Sequence, residues 1–466
     1  MLLEIGARHQ LFRDTGGDAY AQLASDGHLE VHAVESKTYR EHLAGAYYAI
    51  ATKGCSRNAM TDAIDTLAAR ARFGRDARPV WLRTAREDGA LVLDLGDPDW
   101  QTVRVDAAGW EVAAGGEVAF RRTHRMMALP APIDPAEQQG NTEAFARLWR
   151  YCNVTEADRV LVAAFILGAF KPEGPYPLLM VSGEQGTGKS TFSRLLKRLI
   201  DPSAAPLRQP PKEPRDVLVA AINTWLLCLD NLSWLPAELS DTLCRISTGG
   251  AISERTLFSN LDETLVEVQR PVVMNGIEEL ATRPDLAQRG IHVELEPVAR
   301  VIPESRLMRE FDADAPLIFG TILNALAICV SCADNVKLDP MPRMADFAQW
   351  AYAGLPLLGF QPDDFMDAYI ANQDAGLRLG LDSSPVGHAL VAFMSQRSEW
   401  CGTATELLDV LGNVEGVDRR SKQWPRAPRA LSAALTRLGP AMRAVGISRE
   451  TGWAHRERHI RLFKTT

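Results

Sequence analysis

Cysteine is scarce: seven in 466 residues, Cys55, Cys152, Cys228, Cys244, Cys329, Cys332 and Cys401, odd in number and scattered. That excludes a disulfide framework and fits a reducing compartment. Only Cys329 and Cys332 are close, in the apolar helical stretch 322–330 without a second pair or a nearby His, so they read as helix core and not as a metal site. The apolar run Val160 to Phe170 is about half the ~20 residues that a bilayer span needs and reads as a buried helix. Glu4 and Arg8 interrupt the first residues, which therefore lack a signal-peptide apolar region. The expectation is a cytoplasmic protein without a membrane partner.

Acidic charge is scarce at one end. Residues 419–466 hold twelve Arg or Lys against Glu450 and Glu457 and are net +10, which with a whole-chain charge of -8 leaves residues 1–418 at -18. A basic C-terminal module on an acidic body suggests a polyanionic partner. The length suggests two to four domains.

What the chain does have is Gly183-Glu184-Gln185-Gly186-Thr187-Gly188-Lys189-Ser190, followed by Thr191. The apolar run 178–181 precedes it, and Phe192, Leu195, Leu196 and Leu199 follow at helical spacing. Strand, Gly-rich turn and helix aim backbone N–H groups at phosphate oxygens. In this pattern Lys189 reaches the outer phosphates of ATP, and the Ser190 hydroxyl holds Mg²⁺.

About 40 residues later, Trp225 to Asp230 reads as a buried strand ending in a carboxylate, which would supply the second Mg²⁺ contact. Residues 251–258 and 264–268 alternate like the arms of a hairpin with its tip at 259–263. Pro271 to Asn275 reads as a third buried strand, its amide able to align an attacking water. Arg289, just before the strand 291–295, is a candidate arginine finger acting from a neighbouring copy.

Elsewhere, residues 1–135 read as an α+β domain of unknown role, with a helix over 61–73 and strands at 80–82, 90–95, 102–105 and 110–112. Asp94, Asp97 and Asp99 suit a polar turn better than a metal. Residues 136–177 form a helical linker, 178–300 the ATPase core, 301–380 a helical lid with helices over 311–334 and 344–371, and 381–466 a basic module. In that module, helices over 386–396, 403–411 and 430–445 followed by strands at 447–449 and 459–463 outline a winged helix. Arg426, Arg429, Arg437 and Arg443 lie on or beside the third helix, and Arg456, Arg458 and Arg461 on the hairpin, where they suit DNA phosphates.

The order of these motifs resembles the superfamily 3 helicases, and most nearly the ATPase half of phage and mobile-element primase-helicases. The likeness rests on 183–190, Leu229-Asp230-Asn231-Leu232-Ser233, Ser247-Thr248-Gly249-Gly250 and 285–289. It implies an α/β fold with a P-loop, AAA+-like core, a homo-hexamer with nucleotide between subunits, and a hairpin carrying Arg255 and Phe258 toward single-stranded DNA in a central channel. Duplex DNA would meet the C-terminal module. The chain departs from the pattern in its acidic hairpin tip, in Asn231 where relatives place an acid, and in lacking a primase Asp-x-Asp strand; no priming is expected. An amide can orient water but not take its proton, so Lys189, Asp230, Asn231, Asn275 and Arg289 form the expected catalytic set, with Glu184 or Glu238 as alternative bases. Two functions follow: an ATP-driven DNA helicase or translocase acting in replication of a mobile element, or a nucleotide-switched oligomer that loads or signals to a partner without processive unwinding. A small-molecule kinase is a distant third, since it would leave the basic C-terminus without a purpose.

Overall fold

A computed structural model describes the chain except residues 26, 136–139, 256–262, 277–283, 299–300, 422–423, 455–456 and 466. The chain opens with α1 (Leu2–Gly6), the meander β1 (Gln10–Arg13), β2 (Ala19–Ser25) and β3 (His28–Ala33), and the helices α2 (Lys37–Ala51) and α3 (Arg57–Phe73). Ser36 and Ser56 cap α2 and α3 by accepting from Tyr39 N and Ala59 N. Sequence periodicity showed only α3 here. A second antiparallel sheet follows: β4 (Thr84–Glu87), β5 (Ala90–Asp94), β6 (Gln101–Asp106) and β7 (Gly109–Ala114), in that order. The strand expected at 80–82 is irregular chain with one bridge, Trp81 to Phe120.

The region expected to be one domain over 1–135 is divided between cores. Residues of α1, β2, α2 and α3 bury their own apolar cluster. Leu82, Leu91, Leu93, Val103 and Val105 instead belong to the core that runs on through residues 129–369. Asp94 and Asp97 do turn work: Asp94 accepts from Arg122 and Gly96 N, and Asp97 from Gln101 N.

The central sheet is parallel. β8 (Leu178–Ser182), β9 (Leu227–Leu232), β12 (Val272–Gly276) and β13 (Gly290–Glu294) stand in the order β13-β8-β12-β9. Such strands are buried on both faces, which is why they read as unbroken apolar runs. Between α4 (Asn141–Ala146) and β8, α5 (Arg159–Ala169) is apolar all round and fully packed beneath the sheet. α6 (Lys189–Ile200), α7 (Pro214–Ile222) and α8 (Ala237–Thr248) follow the turn, and α9 (Pro284–Ala287) precedes β13. β10 (Ala251–Arg255) and β11 (Glu263–Glu267) pair antiparallel, as the expected hairpin does.

The lid is α10 (Glu304–Cys332), α11 (Ala345–Gly354) and α12 (Pro362–Asp382). The single helix expected over 344–371 is split by a tight turn at Leu355–Leu358 that closes on Gly359 at φ 92°. By length and composition α10 with its C-terminal extension passes for a membrane span, but 61% of its most apolar window is buried inside the structure. The side chain of Asn372 in α12 bonds both His292 N and His292 O, completing the edge of β13.

α12 is one continuous helix whose start packs Phe365 and Tyr369 into the large core, while its end packs Leu377 and Leu381 into the C-terminal one. There α13 (Pro385–Ser395), β14 (Glu399–Thr403), α14 (Ala404–Gly412), α15 (Pro428–Ala444), β15 (Ile447–Ala454) and β16 (Glu457–Lys464) form three helices and a sheet ordered β14-β16-β15. This is the expected winged-helix outline with one strand added, β14, which carries little sequence signal because it is brief and holds Gly402.

The N-terminal unit carries a histidine cluster. Glu30 accepts from His28 at 3.1 Å and His32 at 2.7 Å, and His9 meets Tyr39 Oη at 2.8 Å. Burial, then His42 and His32, push His9 down to about 4, and His32 above all draws Glu30 down to about 2. A neutral His9 resists protonation when folded but not when unfolded, so stability is full above its unfolded pKa of about 6.5 and is lost as pH falls toward 4. The thermal midpoint of this unit should therefore fall from pH 7 to pH 4.5, and His9→Gln should flatten that slope.

Candidate nucleotide site

The Gly-rich turn lies where the sequence placed it, between β8 and α6. Its glycines at 183, 186 and 188 hold φ of 137°, 90° and 82°. A Cβ at Gly183 would meet Leu295 O and Thr187 Oγ1 at 2.9 Å, whereas one at Gly186 would meet nothing within 4 Å. The loop is thus fixed at its root and open at its crest. Inside it, Thr187 Oγ1 donates to Glu184 O at 2.9 Å, and Lys189 Nζ donates to Gly183 O and Glu184 O at 2.6 and 2.8 Å. Gln185 is exposed on the crest, and Thr191 follows in the first turn of α6. Asn153, which carried no sequence signal, braces the turn by donating to Thr187 O at 2.7 Å and to Glu296 O.

Ser190 Oγ donates to Asp230 Oδ1 at 2.7 Å. The two expected metal ligands therefore meet, although they lie forty residues apart. The strand bearing Asp230 does not end there as expected. Met274 pairs with Leu229 and Gly276 with Leu232, so Asp230 and Asn231 together oppose Asn275 alone. This is a β-bulge, with Asn231 in the left-handed region at φ 58°, a conformation that Asn tolerates better than most residues.

Asn275, 1% exposed, accepts from Asn231 N at 2.9 Å and donates to Ser193 Oγ at 2.9 Å, and Ser193 in turn donates to Lys189 O at 3.0 Å. Its carboxamide oxygen, expected to address a water, here clamps the bulge, and its nitrogen ties the bulge to α6. Arg289 is brought nowhere near its own turn. Its carbonyl accepts from Leu178 N, at the opposite end of β8, some ~13 Å away along a five-residue strand. Glu184 and Glu238 are both exposed.

Beneath the turn lies a buried ionic knot that sequence reading did not find. Asp201 Oδ2 accepts from Lys197 Nζ at 2.6 Å, Trp225 N at 2.9 Å and Leu226 N at 3.0 Å, and Oδ1 accepts from Arg83 Nε and Nη2 at 3.1 Å. Burial alone would raise the Asp201 carboxyl, but Lys197 and Arg83 hold it down to about 2. Arg83, 0% exposed, also donates to Asp94 O and Met127 O.

Of the expected DNA contacts, Arg429, Arg437 and Arg443 are exposed along α15, and Arg458 is exposed on the hairpin. Arg255 ends β10, while Phe258 and Arg456 lie outside the described residues. Arg461 pairs with Glu399 and Glu450 across the sheet.

Two parts of the chain are similar to replication proteins of mobile elements. In particular, residues 145–371 match the family of the actinomycete integrative conjugative element replication protein, and residues 386–466 match the C-terminal domain of that RepA. The second match begins one residue into α13. The chain is also loosely similar to solved apo structures of the NrS-1 C-terminal region, at 11% identity and a TM-score of 0.39 and at 13% and 0.40, in both cases covering 100% of this chain and 98% of the other. No curated protein matches it.

Asp201→Asn should leave two buried cations short of a counter-charge and lower the unfolding free energy by about 3 kcal/mol or more, measured by denaturant titration.

Proposed function

We propose that the chain is an ATP-driven DNA helicase or translocase serving replication of a mobile element. The observation that carries this reading is the Ser190–Asp230 contact of 2.7 Å at the mouth of a Gly-rich turn. A hydroxyl and a carboxylate that converge beside a phosphate cradle are the ligand pair of a nucleotide-bound Mg²⁺, and both are hard oxygen donors. The strand order also supports an AAA+-like core, since the strand of Asn275 stands between that of the turn and that of Asp230.

Ser190 and Asp230 would hold Mg²⁺, which when bound neutralises charge on the phosphates. The turn's backbone N–H groups bind phosphate oxygens, and Lys189, now resting on two loop carbonyls, exchanges them for the outer phosphates. Asn275 fixes Asp230 through the bulge. Arg289 from a neighbouring copy would complete the site in a homo-oligomer, expected to be a hexamer, and the β10–β11 hairpin would carry Arg255 toward a single strand. Arg429 and Arg437 on α15 would meet duplex phosphates.

Asn231 favours a second reading, a nucleotide switch that loads or signals to a partner. It has no carboxylate to take a proton from water, and its backbone N–H is already committed to Asn275.

Strand displacement on a forked duplex separates these. The wild type should unwind with DNA-stimulated ATP hydrolysis, and Lys189→Ala should lose both by at least about a hundredfold, as removing a group that stabilises transition-state charge does. Slow hydrolysis indifferent to DNA would favour the switch, and unwinding that persists in Lys189→Ala would end the motor reading.

A further inference from the structure

Side chains alternate across the C-terminal hairpin, so the paired positions Arg449 and Leu462, Thr451 and Ile460, and Trp453 and Arg458 share one face. Leu462 and Ile460 are buried in the C-terminal core together with Leu431 and Leu435 of α15, which makes this the face turned to that helix. Between the two lies a cleft of about 200 Å³ lined by Ser432 and Thr436 of α15 and by Arg449, Thr451 and Arg458 of the hairpin. Its polar chemistry is hydroxyl and guanidinium.

Arg449 is held in place there. Its guanidinium donates to Ser432 O at 3.4 Å and to Thr436 Oγ1 at 3.1 Å. Burial, and then the charge of Arg458, lower its pKa from arginine's ordinary value. Among the described residues neither Arg449 nor Arg458 forms an ion pair, whereas Arg461 on the opposite face of the same hairpin has two. A half-buried guanidinium whose charged neighbour is a second guanidinium is stabilised by an anion brought from outside. At the outer end of the same face Trp453 stands 77% exposed. The core makes no use of it, and a flat ring beside a phosphate-sized cleft matches the base-and-phosphate repeat of a nucleic acid strand.

We infer that this cleft grips a backbone phosphate of DNA through Arg449, Arg458, Thr436 and Thr451, with Trp453 against the neighbouring nucleotide. This rests on reading the C-terminal unit as a DNA-binding module, and it moves the module's anchor from the outer face of α15 to the space between α15 and the hairpin.

Binding of the full chain to labelled duplex and single-stranded DNA is measured by anisotropy over a salt series. Arg458→Gln and Arg449→Gln should each weaken binding about tenfold on unrelated sequences and reduce the salt slope by about one. Arg437→Gln, outside the cleft, should do less, and Trp453→Ala should cost more on single strands than on duplex. Inorganic phosphate at constant ionic strength should not displace the DNA. Should Arg449→Gln lower the thermal midpoint, the exposed Arg458 alone decides the matter. Wild-type affinity and salt slope in Arg458→Gln would overturn the inference while leaving the module reading intact. Binding of inorganic phosphate that depends on Arg458, without any change in DNA affinity, would assign the cleft to a small phosphate ligand and overturn it too. Failure of the wild type to bind DNA at all would remove the module reading, and this inference with it.

Discussion

The carboxylate of Asp201 ties the end of α6 to the start of β9 and, through Arg83, both of them to the antiparallel sheet of the N-terminal region. An ionised group buried among apolar side chains persists only when its lone pairs are satisfied, and here both oxygens are occupied by cations and by backbone N–H groups. Once the base of α6 is pinned to the base of β9, the height of their opposite ends is set. Ser190 at the head of α6 then arrives at Asp230. The constraint also joins the β4–β7 sheet to the body that carries the Gly-rich turn, in keeping with the core it shares with α5 and α10.

At the upper end the same two elements meet under strain. The bulge at Asp230 and Asn231 inserts a residue into a parallel strand and places a non-glycine side chain at positive φ. Asn275 stabilises that arrangement from the neighbouring strand and hands the connection on to Ser193 and so to Lys189. The backbone of Lys189 is thereby joined, through the first turn of α6, to the strand that seats Asp230.

Much of this was legible in the residues. The cradle, the carboxylate strand, the hairpin arms and the helices of the C-terminal unit all carry periodicity or fixed spacing, and each lies close to where the pattern put it. What escaped was geometry that no local pattern encodes. The bulge leaves an unbroken apolar run intact, so the strand seemed to stop at Asp230. Lys197 and Asp201 are a local pair four residues apart, but Arg83 joins them only through tertiary packing, from 118 residues away. Arg449 looked like one basic residue among twelve until the hairpin register turned it toward α15 while Arg461 faced away to its acidic partners.

The account stands on Ser190, Asp230 and the Gly-rich turn forming one metal-assisted nucleotide site. Titration of a fluorescent ATP analogue into the wild type, Ser190→Ala and Asp230→Asn, with and without Mg²⁺, measures this most directly. Binding that is tightened by Mg²⁺ in the wild type, with that gain lost in both variants, is the expected result. Binding equally tight without Mg²⁺ and unchanged by either substitution would contradict it.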